Sequence, residues 1–275
     1  IPSGTYLVSD ELHMYYDTFI HGDPCSRPTI VLAPGKNNYV ISGPLSGGGG
    51  HTNSFYYGVM NVNLDVSKGD GSATAVHWPV SQGTYLRNMH IEVGSNLRAI
   101  YGEDGSGGLM ADLTINGGRW GINYGNQQWT FRNIKIKGAR ESCIRGNWNW
   151  AWTLVGMELS DCPVGIAFDK GQTQVGALVV LDSSFTNVGK VYDVPASMRV
   201  LLDNVVLSAV GSVTDGVSGG SRTIASWRQG PALAKGQPIG GDRGDLPPTR
   251  SAALETRPRP TFTALYNVRD AGAVG

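Results

Sequence analysis

Between residues 61 and 215 the chain repeats one short pattern seven times: a small polar residue, then an apolar, any, apolar triplet. The polar residues are Asn61, Asn88, Asp112, Asn133, Gly156, Asp182 and Asn204, spaced 21 to 27 residues apart. The apolar pairs that follow are Val62/Leu64, Met89/Ile91, Leu113/Ile115, Ile134/Ile136, Met157/Leu159, Ser183/Phe185 and Val205/Leu207, with Ser183 the one departure. Alternation of period two marks a strand with one buried face. A second apolar column runs through Ile100, Ile122, Ile144, Ile166, Val191 and Val213. Short strands recurring at this spacing with no helical pattern between them predict stacked coils, that is, an all-β chain folded as a right-handed parallel β-helix. Leucine-rich repeats would need a Leu/Asn consensus that is missing, and propeller blades would need about 40 residues each. In stacked coils, equal positions of adjacent turns sit about 4.8 Å apart. The inward pairs should therefore form a continuous apolar column, and the Asn/Asp column should hydrogen-bond from turn to turn.

On either side of the repeat the pattern changes. Residues 1 to 60 contain strand-like runs at Thr5 to Val8 and Thr29 to Leu32 between turn signals, and Gly47 to Gly50 reads as a flexible break. After Asp215 the sequence turns rich in Gly, Pro, Arg and Ser, as in Ser218-Gly219-Gly220-Ser221 and Arg257-Pro258-Arg259-Pro260. The expected organisation is a β-helix over 1–215, a long extended linker over 216–261, and over 262–275 the start of another unit.

Composition narrows the partners. Gly contributes 39 of 275 residues, about twice the usual share, which suits an architecture of many tight bends. The 22 basic and 22 acidic residues cancel, and no Lys/Arg cluster could track a phosphate backbone, which argues against nucleic acid. No apolar run approaches the roughly 18 to 20 residues of a membrane span. The chain opens in what reads as mid-domain, compatible with an export signal lying before Ile1. Cys25, Cys143 and Cys162 are an odd set without metal-ligand spacing, so no metal or other cofactor is expected.

The repeat also states which residues share a surface. At one fixed offset before the polar ladder lie Gln82, Ser106, Gln127 and Trp150, which should line up along one corner of consecutive turns. Asn126, Gln128, Trp148 and Asn149 flank them. Indoles stack on the C–H faces of sugar rings and amides bond their hydroxyls, so this row fits a neutral sugar polymer. Corner amides and aromatics also stack merely to close a coil. Trp129 and Trp152 open strands and read as packing. Glu103 and Asp104 sit beside a Gly-rich turn and read as solvated, and His77 reads as a structural histidine with no nucleophile at triad spacing.

At these residues the chain resembles the fungal and bacterial exo-β-1,3-glucanases of glycoside hydrolase family 55, within the pectate-lyase-like β-helix superfamily. The matching stretches are Ile1-Pro2-Ser3-Gly4-Thr5-Tyr6, Ala75 through Gln82, Gly105 through Asp112, Gly125-Asn126-Gln127-Gln128, Trp148 through Thr153 and Tyr266 through Gly275. Pro79 and Ala151 depart from the family pattern. The resemblance implies a secreted polypeptide with two β-helices joined by a linker and a β-1,3-glucan held between them. Residues 262–275 would open the second helix. It implies an inverting mechanism in which a glutamic acid of the second helix is the acid, while Gln82 and Ser106 help hold the attacking water. This chain alone would then be inactive. Two other readings stand beside it. One is a non-catalytic carbohydrate-binding β-helix. The other is a pectate- or uronate-active enzyme, which would need a basic or Ca²⁺-binding groove.

Overall fold

The polar ladder of the sequence is the place where each coil turns. In the computed structural model, which describes residues 1–43 and 51–230 plus the short strands Leu233–Ala234 and Gln237–Pro238, every ladder residue from Asn61 to Asn204 has φ between 47° and 66°. An ordinary L-residue loses roughly 1–2 kcal/mol in that left-handed conformation, whereas Gly, and to a lesser extent Asn and Asp, tolerate it. That is why these three residue types recur there. The amides then link the turns: Asn88 donates to Asn61 at 2.7 Å, Asn133 to Asp112 at 3.2 Å and Asn204 to Asp182 at 2.8 Å. At Gly156 the ladder changes chemistry, because a Cβ there would lie 2.7 Å from the Asn133 side-chain oxygen. We expect Asn133→Ala to destabilise the protein by about 1–2 kcal/mol in urea titration and Asn133→Gly by less, since Gly restores the backbone but not the hydrogen bond.

Between ladder residues the chain visits three parallel sheet faces, and the coils stack into a solenoid of about eight turns. The first face begins with Thr5–Val8, Thr29–Leu32 and Asn63–Asp65, paired in that order. The second begins with Leu12–His13, Tyr39–Ser42, Thr74–His77 and Arg98–Gly102. The third begins with Phe19–His21 and Gly58–Met60. Later strands, such as Trp120–Lys137, run through the corners and pair on more than one face.

The stacked coils thus already include Thr5–Val8, ahead of the repeat that begins at Asn61. Their strands before residue 60 are two to four residues long, too short to show a period. All seven inward pairs are buried, Ser183 included, whose hydroxyl donates to Leu181 O at 2.7 Å and accepts from Met157 N at 3.0 Å. The second column is in register from Ile41 through Val76, Ile100, Ile122, Ile144 and Ile166, and its next member is Tyr192 rather than Val191. The strands Glu158–Phe168 and Ala177–Asp193 pair at one constant offset, Leu159 with Phe185, Val164 with Lys190 and Ile166 with Tyr192.

The stretch expected as linker begins with a strand. Val217–Gln229 folds back antiparallel to Arg199–Thr214, pairing Trp227 with Leu202 and Ile224 with Val205. Trp227 is buried and its indole donates to Tyr192 Oη at 2.9 Å. An edge that would otherwise offer unpaired backbone groups is covered in this way. Apart from the short antiparallel pair Leu233–Ala234 and Gln237–Pro238, the remainder of the expected linker and the expected opening of a second helix at 262–275 lie outside the described residues. All three cysteines are free: Cys25 is exposed, Cys143 and Cys162 are buried, and burial first and the neighbouring Cys162 thiol second push the Cys143 thiol well above its ordinary value.

Candidate functional site

The connection from the second face to the third is the corner where the chemistry gathers. It is formed in successive turns by 14–18, by a connection whose described end is 51–57, then by 78–84, 103–108, 125–127, 147–150 and 169–176. Inside it, aromatic side chains fill the space that the wide bends enclose. Tyr124, Trp129, Phe131, Trp152 and Phe168 pack ring to ring, with Phe131 and Trp152 centroids 5.3 Å apart and Trp152 and Phe168 5.2 Å apart. Trp129 and Trp152 are therefore packing residues. The Tyr124 hydroxyl donates to Trp78 O at 2.9 Å, and complete burial pushes that phenol far above its usual range, so it stays a donor.

On the outside, the structure brings Gln82 and Ser106 together. The Ser106 hydroxyl donates to Gln82 Oε1 at 2.9 Å, and Ser106 is nearly buried while Gln82 is exposed. The turn Gly105-Ser106-Gly107-Gly108 makes this possible. At Gly105, φ is +141° and a Cβ would lie 2.1 Å from Val80 O and 2.3 Å from the Asn126 amide. Gln127 continues the row, its N–H donating to Gly105 O at 3.2 Å, and Gln128 is exposed beside it. Trp150 belongs to the next turn and is 56% exposed, against a buried Trp152 two residues on. From Gln82 to Trp150 the row spans three strand spacings of about 4.8 Å each.

Asn126 and Asn149 take a different part. Both are buried, and their amides are used inside the corner: Asn126 donates to Val80 O at 3.1 Å, and Asn149 donates to Ala177 O and accepts from Gly176 N. Asn126 ties its turn to the one two coils earlier and Asn149 ties its turn to the next, and Asn149 also lines the groove described below. Period alone could not separate them from Gln127 and Gln128, because at a corner the in/out alternation of a strand breaks.

Trp148 is half-buried and leans across a gap left by Gly125, where a Cβ would lie 2.5 Å from its ring; its indole donates to Glu103 O at 2.7 Å. A groove of about 730 Å³ opens beside it, lined by Glu103, Asp104, Trp148, Trp150, Thr173 and Gln174 among others. Glu103 and Asp104 thus belong to the groove wall and not to a solvated turn alone. The Glu103 carboxylate lies 2.9 Å from His77 Nε2, and the His77 ring is stacked between Tyr39 and Tyr101, with centroids 4.7 and 5.5 Å away. His77 is structural, as expected, but it anchors a carboxylate of the groove. Sequence reasoning missed Thr173 and Gln174. The ladder offset applied to Asp182 lands on Gly176 and would have led to this loop.

Comparison with known proteins follows the same lines. A family profile described as rhamnogalacturonase A/epimerase, pectate lyase-like, matches residues 1–167. A glucan 1,3-beta-glucosidase of Cochliobolus carbonum is 36% identical over 263 residues, covering 84% of this chain and 33% of that protein. A probable glucan endo-1,3-beta-glucosidase of Arthroderma benhamiae is 34% identical over 278 residues, 90% of this chain and 31% of that protein. A non-secreted LysM effector of Penicillium expansum is 35% identical over 206 residues, 68% of this chain and 16% of that protein. The chain spans about a third of the length of the two glucanases. The profile covers more than half of the chain, and the resemblance read from its motifs is borne out by these relatives. The chain belongs to the pectate lyase-like family described as rhamnogalacturonase A/epimerase, as a β-helical relative of the glucan 1,3-β-glucosidases.

Proposed function

We propose that this chain is the β-helical part of an extracellular β-1,3-glucan hydrolase and that its second corner carries one wall of the glucan site. The hydrogen-bonded Gln82–Ser106 pair, held on the same corner as the exposed Trp150, carries the reading. A hydroxyl fixed by an amide is a positioned polar pair that can hold a water against a sugar carbon without being consumed, the role an inverting mechanism requires opposite its acid. In this reading the acid is a glutamate of a second β-helix in the same polypeptide. Gln127, Gln128, Trp148 and Trp150 then bind sugar, and Asn126 and Asn149 hold the backbone that presents them. The names of the two glucanases support β-1,3-glucan as the substrate class. The groove wall supports a neutral glycan over a uronate, because Glu103 and Asp104 line it and no Lys or Arg does.

The test pairs binding with turnover. This chain alone is expected to bind laminarin and to release no sugar from it, and Trp150→Ala is expected to weaken that binding about three- to tenfold, the range of one lost aromatic contact. In a polypeptide that also carries the second helix, Gln82→Ala or Ser106→Ala should lower kcat about 10²-fold or more with KM little changed. Strong hydrolysis by this chain alone overturns the division of labour, and wild-type kcat in both variants removes the pair from the reaction.

A further inference from the structure

Two turns before Ser106 the same corner carries a second set of exposed rings. Among the described residues nine large apolar side chains are exposed, and four of them, Tyr15, Tyr16, Tyr56 and Trp150, stand on this one corner. Tyr56 belongs to the turn directly before that of Gln82, and Tyr16 to the turn before Tyr56, because Leu12–His13, Tyr39–Ser42 and Thr74–His77 stack in that order on the entering face. The exit side stacks the same way, through Phe19–His21, Gly58–Met60 and the strand Tyr85–Gly94. Tyr16 and Tyr56 are 60% and 54% exposed, so neither is used to fill the core.

Their rings are nevertheless held. Tyr16 meets Tyr56 edge to face at 6.4 Å and the buried Tyr57 at 6.0 Å, and Phe55 lies 6.2 Å from Tyr56. The Tyr56 ring also rests on Gly83, the residue after Gln82. There φ is +73°, and a Cβ would lie 2.9 Å from the ring. An exposed aromatic fixed in place gives stacking area at little cost in side-chain entropy.

We propose that Tyr16 and Tyr56 form a second stacking platform for a neutral β-glucan, on the opposite side of the Gln82–Ser106 pair from Trp150. The proposal rests on the function given above and extends it: one glucan strand lies along the corner, touching the tyrosines at one end and Trp150 at the other. From Tyr16 to Trp150 the corner covers five strand spacings of about 4.8 Å, room for several sugar rings. The segments 14–18 and 51–57 contain no Lys or Arg and one acid, Asp17, so the platform suits an uncharged chain and not an anionic one.

Titration calorimetry of the 275-residue chain with laminarin and with the β-1,3-linked glucose disaccharide tests this. The double variant Tyr16→Ala/Tyr56→Ala should bind laminarin about tenfold more weakly, as the loss of two aromatic contacts implies. Its affinity for the disaccharide should stay unchanged, and Tyr16→Phe/Tyr56→Phe should keep wild-type affinity for both. If the double alanine variant keeps laminarin affinity within twofold while Trp150→Ala loses it, the platform is refuted and the proposed function stands. Equal losses for laminarin and disaccharide also refute it, because the rings would then be supporting the structure. If wild type does not bind laminarin, or if neither variant changes binding, the platform and the proposed function fall together.

Discussion

Trp152→Ala is expected to lower folding stability by about 3–5 kcal/mol, the range seen when a large buried aromatic is truncated and its neighbours cannot collapse into the space. Trp152 is fully buried and its ring packs against Phe131, Phe168 and Tyr124 in the interior of the second corner. Its backbone is fixed on both sides by the pairs with Trp129 and Leu178, so the turn cannot shift to close the cavity. Removal of the indole also strips Asn126 O of the donor it holds at 3.1 Å. Because Trp150 is two residues away on the same strand, sugar binding should suffer along with stability. Guanidinium unfolding followed by far-ultraviolet dichroism gives the number. A loss below about 1 kcal/mol would mean that the corner interior does not unfold with the rest of the solenoid.

Gly105→Ala should cost about 2–4 kcal/mol and separate Gln82 from Ser106. Two effects add: the residue is held at φ +141°, a conformation that strains an L-residue, and its new methyl would meet Val80 O at 2.1 Å and the Asn126 amide at 2.3 Å. Neither neighbour can yield easily. Val80 O accepts from both Ser106 N and the Asn126 amide, so moving it undoes the contacts that seat Ser106. The substitution should therefore reduce laminarin turnover in a polypeptide that contains the whole site, even where the fold survives. Comparison with Gly71→Ala separates out much of the backbone effect, since that glycine is also held at a strongly positive φ, +100°, but has nothing within 4 Å of a Cβ. Equal losses in the two variants would remove the packing part of the argument.

These two residues show how far the sequence could be read. Glycines in the 103–108 turn were visible, but not which of them face backbone oxygens. Trp152 was recognisable as packing because it opens a strand at the same offset as Trp129. The row Gln82, Ser106, Gln127, Trp150 was legible from one offset, and the 2.9 Å bond between its first two members agrees with it. Asn126 and Asn149 were not separable from their exposed neighbours, since inside and outside stop alternating where a strand bends. The groove acids were hidden for a related reason: Glu103 reaches the Trp148 wall across a turn in which Gly125 supplies only a gap.

The sequence by itself determined the period, the parallel stacking and the polar ladder. Each follows from a local rule, either alternation along a strand or the few residue types that tolerate positive φ. Only the tertiary structure decided what the corner presents. It showed that Glu103 is tied to His77, that Val217–Gln229 closes the last turn, and that Tyr16 and Tyr56 share a surface with Trp150. Those facts depend on connections of unequal length, and once a loop is longer than the repeat allows, spacing along the chain no longer measures position in space.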